Sequence, residues 1–106
     1  LKRQKPSPHK ITEMLYIQGN KCLYCSISFG EPFIHPRTNK LHFTRVNCDH
    51  YVPFSYSQDN RLVNFVIACQ ICNGIKSNKI FETLEDATAF ITYERNKKEY
   101  DKAFTR

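Results

Sequence analysis

Residues 62–79 read LVNFVIACQICNGIKSNK. Val63, Phe65, Val66 and Ile67 are β-branched or aromatic, so the stretch opens as a strand, predicted over Leu62–Ala68. Asn64 is the exception inside it. An amide among apolar neighbours must find hydrogen bonds, and bridging a nearby loop is its natural use. Cys69-Gln70-Ile71-Cys72 closes the strand. A short helix is predicted over Asn73–Lys79, which would set Asn73, Lys76 and Lys79 on one face.

The same cysteine spacing occurs upstream, at Cys22-Leu23-Tyr24-Cys25. Two intervening residues let two thiolates turn toward one ion, and two such turns make the tetrahedral four-sulfur site of a structural zinc. Disulfides, buried thiols and iron held by four thiolates are the alternatives. A disulfide within either pair closes a very small loop. The leftover Cys48 and the lack of a secretory pattern also argue against an oxidised scaffold. Zinc is therefore expected on Cys22, Cys25, Cys69 and Cys72. With no spare ligand position, it would be a staple and not a reaction centre.

Outward from these pairs the signals are local. Ser7-Pro8 starts a helix predicted over Pro8–Ile17, ended by Gly19-Asn20. Phe29 to Lys40 holds Gly30, Pro32, Pro36 and Asn39 and reads as turn and loop. Leu41, Phe43 and Val46 alternate with polar neighbours, which predicts a strand over Leu41–Asn47. Pro53 to Arg61 is polar loop. Thr83 and Asp86 form a capping box for a helix running to Tyr93 or beyond, with Leu84, Ala87, Phe90 and Ile91 as its buried stripe.

Asp49-His50 follows the Leu41 strand directly. Hydrolysis of a phosphodiester needs a base for the water and a cation for the charge that builds on the leaving oxygen. An imidazole ordinarily titrates near neutrality, so His50 suits the first task. Asp49 is a hard oxygen ligand for a Mg²⁺-class ion, and Asn73 adds a neutral one. Taken singly, Asp49 could accept turn hydrogen bonds, His50 could be a core histidine and Asn73 a helix cap.

Taken in order, CDHYVP at residues 48–53, Asn64, and ACQICNGIKSNK at residues 68–79 resemble the HNH endonuclease family, with its D-H-x-x-P, central Asn and C-x-x-C-N-x-x-K pattern. The resemblance extends from Cys22 to Lys79. It implies an α+β chain with a small ββα-metal fold, flanking helices and a structural zinc staple. It further implies that Asp49 and Asn73 bind the catalytic metal, Mg or Mn, and that His50 is the general base. Asn64 would orient that base by bridging its loop. The family's last His is Asn73 here, a frequent substitute. Lys76 matches the family's lysine, and with Arg45 and Lys79 it is expected to contact nucleic-acid phosphates.

Composition fits this expectation. Hydrophobic residues, at 41%, allow only a small core in 106 residues, which a metal staple would help to fold. A formal charge of +6 favours a polyanionic partner, expected to be DNA, without specifying bases. Residues 1–10 read as a basic arm carrying Lys2, Arg3, Lys5 and Lys10, and residues 11–106 as one nuclease domain with its core at 22–80. No run approaches the roughly 20 apolar residues of a membrane span. The basic start has no apolar segment behind it, so a cytoplasmic or nucleoid-associated location is expected. Two rivals need no acid, base and amide in this order: a non-catalytic zinc-stabilised nucleic-acid-binding module, and a zinc-stapled interaction domain displaying Tyr16, Tyr24, Tyr51 and Tyr56.

Overall fold

The computed structural model describes residues 4–52 and 64–100, with Asp49 described in its backbone alone. The predicted loop at 53–61, Leu62, Val63, Tyr56 and the arm residues Lys2 and Arg3 lie outside the described residues.

Helix α1 spans Pro8–Ile17 as its cap predicts, with the Ser7 hydroxyl accepting from the Lys10 N–H at 3.2 Å. Gly19 and Asn20, both at positive φ, end it. Two antiparallel pairs follow. Strands β1 (Pro32–Ile34) and β2 (Leu41–Phe43) form a short hairpin with Phe33 opposite His42. Strands β3 (Val46–His50) and β4 (Phe65–Cys69) form the second, with Val46 opposite Cys69 and His50 opposite Phe65. Helix α2 (Gln70–Lys76) leaves β4 directly, and α3 (Leu84–Lys97) is the last described helix. A β3–β4 hairpin leading into α2, with α1 and α3 on its flanks, is the α+β, ββα arrangement expected.

Three elements differ from the sequence reading, each for a local reason. The segment predicted as one strand over Leu41–Asn47 is two strands in two sheets. Thr44 breaks it: its N–H donates to the Glu31 carbonyl at 2.8 Å, and its hydroxyl accepts from the Glu31 N–H at 2.8 Å and donates to the Ser28 carbonyl at 3.0 Å. The predicted loop Phe29–Lys40 contains β1, because Phe33 is buried in the core and Pro32 sits at the start of an edge strand, where no ladder N–H is needed. The helix predicted over Asn73–Lys79 begins at Gln70, since the Cys69 sulfur caps it by accepting from the Cys72 N–H at 3.4 Å. It ends at Lys76, where Ser77 takes φ 50. Lys79 is therefore off the helix, and its ammonium lies 5.3 Å from the Phe90 ring centroid of α3.

The β3–β4 hairpin separates two cores. Phe65, Ile67 and Cys48 are buried against Ile11, Met14 and Leu15 of α1. Ala68, Ile71 and Ile75 pack with Phe33, Ala87, Ile91 and the four paired cysteines on the other side. Each fully buried isoleucine contributes about 1.5–3 kcal/mol, and a core of this size offers few of them. Gln18 ties α1 to the hairpin by donating to the Ile67 carbonyl at 3.1 Å. Of the predicted α3 stripe, Ala87 and Ile91 are buried and Leu84 is exposed; the third buried position is Arg95. Among the described residues no helix is long and apolar enough to cross a membrane.

Candidate functional site

The cysteine pairs meet because β4 holds both. The Leu23 N–H donates to the Ile67 carbonyl at 3.1 Å, laying the first knuckle along the strand that ends in the second. The ligand atoms of Cys22, Cys25, Cys69 and Cys72 lie within 4.8 Å of one another, and Cys25 and Cys69 sulfurs are 3.9 Å apart. A tetrahedral zinc with Zn–S bonds of about 2.3 Å sets its sulfurs about 3.8 Å apart. All five cysteines are free thiols, and 3.9 Å is far beyond a disulfide bond.

The surroundings fit thiolates. The Cys69 N–H donates to the Cys22 sulfur at 3.3 Å. Arg95, only 4% exposed, donates from Nη1 to the Cys72 sulfur at 3.5 Å, with the Cys69 sulfur at 4.0 Å. A buried guanidinium needs an anion beside it, and four thiolates around a dication carry a net charge that supplies one. Cys22 is held well below the ordinary thiol range by hydrogen bonds from Cys25, then Cys69 and Cys72, whereas Cys72 is pushed well above it by its bond to Cys22. Zinc fits this donor set.

The second cluster lies at the far end of β3. Asp49 pairs with Val66 and His50 with Phe65, so both belong to the strand and not to the turn after it. His50 is 4% exposed, and its ring centroid lies 4.5 Å from that of Phe65. The chain bends immediately afterwards, at Tyr51 and Val52. Asn64 grips that bend at both amide ends, accepting from the Val52 N–H at 2.8 Å and donating to the Val52 carbonyl at 3.0 Å. Its own carbonyl accepts from the Tyr51 N–H. Asn73, half-buried, sits within α2 and is not its cap.

Lys76 differs most from its sequence reading. It was expected against a phosphate. It is instead 3% exposed, and its ammonium donates to the Tyr51 carbonyl at 2.6 Å and to the Lys79 carbonyl at 3.2 Å. The ammonium also lies 5.0 Å from the Tyr51 ring centroid. Asn64 from β4's approach and Lys76 from α2 thus hold the same bend behind His50. Arg45 is exposed and lies at the opposite end of β3. Arg95 was missed altogether. Its signal was present in the sequence, as a basic residue four positions after Ile91 on the buried helical face. Tyr24, expected on the surface under the interaction-domain rival, is buried in the core.

Residues 35–80 match the model of a family described as HNH endonuclease. No curated protein and no solved structure matches the chain. The matched segment takes in the β3–β4 hairpin, the Asp49-His50 pair, Asn64, the second cysteine pair and all of α2. Over residues 35–80 the chain is therefore similar to HNH endonucleases, the nucleic-acid-cleaving type that its motifs resemble.

Proposed function

We propose that this domain hydrolyses phosphodiester bonds of DNA, with His50 as general base and one Mg²⁺-class ion held by Asp49 and Asn73. The observation that carries the reading is the bend behind His50. Asn64 and Lys76, from different elements, spend buried polar groups on the backbone of Tyr51 and Val52. Polar groups buried this way cost desolvation, and fixing a reacting side chain to within a fraction of an ångström is the return.

His50 takes the proton of the attacking water; its ring lies against Phe65, and the strand that carries it ends in the anchored bend. A carboxylate and an amide oxygen suit a hard cation that keeps most positions for water and phosphate. When bound there, Mg²⁺ or Mn²⁺ supplies Lewis-acid stabilisation of charge on the leaving 3′-oxygen. Lys76 is a positioning residue in this scheme, and Arg45 and Lys79 supply exposed positive charge toward the substrate.

The test is incubation of zinc-loaded protein with supercoiled plasmid and, separately, with labelled RNA, with and without Mg²⁺ or Mn²⁺. Metal-dependent relaxation of the plasmid is expected. DNA binding with no cleavage under any metal would favour the non-catalytic zinc module, and cleavage of RNA alone would reassign the substrate.

A further inference from the structure

A cavity of about 240 Å³ opens between the β1–β2 hairpin and the start of α2, at the Arg45 end of β3 and away from His50. Phe33, His35, His42, Arg45, Gln70 and Tyr100 line it, and among the described residues no Asp or Glu does. Its volume is below the roughly 300 Å³ at which small-molecule sites begin, so it suits one compact group and not a whole cofactor.

The hydrogen bonds around it settle which atoms face a ligand. His35 Nδ1 accepts from the N–H of Arg37 at 3.1 Å and of Thr38 at 3.4 Å. The ring proton of a neutral His35 is therefore on Nε2, which lies 3.4 Å from the Tyr100 hydroxyl and donates to it. Tyr100 keeps its own proton to give elsewhere. Gln70 Oε1 accepts from the Arg45 N–H at 2.7 Å, and one Nε2 proton goes to the Phe43 carbonyl at 2.8 Å, leaving the second uncommitted by these bonds. The Arg45 guanidinium has no hydrogen bond or ion pair among the described residues. The aromatic faces are already used: His42 stacks on Phe33 at 5.5 Å and tilts against His35 at 5.3 Å, while Tyr100 meets His35 edge-on at 5.6 Å. A planar base would find no free ring to stack on. A ligand with several acceptor oxygens and negative charge would find a guanidinium, a hydroxyl and an amide proton.

We infer that this cavity is a binding subsite for one phosphate group, supplied by a phosphodiester of the nucleic-acid strand away from the bond that is cut. The cavity chemistry stands by itself; the identity of the phosphate's owner rests on the nuclease reading. Arg45 and His50 are five residues apart along extended chain, roughly 16 Å. A strand held at both places would be fixed a few nucleotides from the scissile position.

The experiment measures binding in Mg²⁺-free buffer, so that it does not depend on cleavage. Fluorescence anisotropy of a short DNA duplex is followed across a salt series for the unmodified chain, Arg45→Gln and Tyr100→Phe. Both substitutions leave the ring contacts in place. Arg45→Gln is expected to weaken binding about tenfold and to reduce the log–log salt slope by about one. Tyr100→Phe is expected to weaken it about threefold with the slope unchanged, because a neutral donor releases no counterion. In parallel, the His42 ring nitrogen resonances should move on adding the duplex, and also on adding inorganic phosphate alone. Unchanged affinity in Tyr100→Phe together with unmoved His42 resonances would overturn the subsite, even if the plasmid is cleaved. Resonances that respond to inorganic phosphate but not to DNA would overturn its assignment to the substrate strand. A chain that shows both binding effects yet cuts nothing would leave the subsite intact and remove the nuclease reading instead.

Discussion

Replacing Asn64 with alanine removes the amide that holds the bend behind His50. The amide makes two hydrogen bonds to Val52, at 2.8 and 3.0 Å, from a residue only 6% exposed. Each such bond contributes a net of about 0.5–1.5 kcal/mol, and a buried group left unpaired costs about 1–3 kcal/mol. Val52 is half-buried, so water can repair part of the loss. We expect Asn64→Ala to destabilise the domain by about 2–3 kcal/mol. At about 4–8 °C per kcal/mol for a domain near this size, the thermal midpoint should fall by roughly 10–20 °C. The assay is thermal unfolding by circular dichroism on zinc-loaded protein, with plasmid cleavage measured well below the lowered midpoint. Cleavage should drop by up to about 100-fold, because His50 is retained but misplaced. Asn64→Asp makes the sharper control. It keeps an acceptor for the Val52 N–H but sets a carboxylate oxygen against the Val52 carbonyl, so it should be at least as destabilising as alanine. A midpoint shift of less than about 3 °C in Asn64→Ala would refute the claim that this amide holds the bend.

Other outcomes follow from the same geometry. Elemental analysis should find about one zinc per chain, and chelation should loosen or unfold the domain; folded protein without metal would contradict the staple. Arg95→Met should lower zinc affinity by about 10–100-fold, as measured by competition with a chromogenic chelator, since the thiolates lose their buried counter-charge. Asp49→Ala should lose cleavage but recover part of it at high Mn²⁺, because mass action offsets a lost ligand. DNA affinity should fall steeply between low and physiological salt, and removing residues 1–6, which leaves the Ser7 cap of α1 in place, should weaken binding equally on unrelated sequences.

Much of the fold was legible because its signals are local. The Ser7 and Thr83 caps place the starts of α1 and α3, and both side chains accept the hydrogen bonds that the caps require. The cysteine spacing announces a cluster, and the β-branched run announces β4. What was not legible depends on contacts distant in sequence. Nothing local to Thr44 says that it will bond to residues 28 and 31 and so divide one strand into two. Pro32 and Gly30 read as loop, yet burial of Phe33 turns that stretch into β1. Cys69 reads as a metal ligand, and its second task as the cap of α2 appears only once the sulfur is placed. Lys76 and Arg95 mark the larger gap. Charged residues on a basic chain read as solvent-facing or phosphate-facing. The fold turns one onto the Tyr51 carbonyl and the other onto the cysteine sulfurs.

In the proposed reaction a buried histidine beside an anchored bend performs the chemistry. The most direct measurement is single-turnover cleavage of supercoiled plasmid in Mg²⁺ by the unmodified chain and by His50→Ala, with zinc content, DNA affinity and circular dichroism recorded for both. A loss of about 10²–10⁴-fold in rate is expected, with those three properties retained. A folded, zinc-loaded His50→Ala that cuts as fast as the unmodified chain would contradict it.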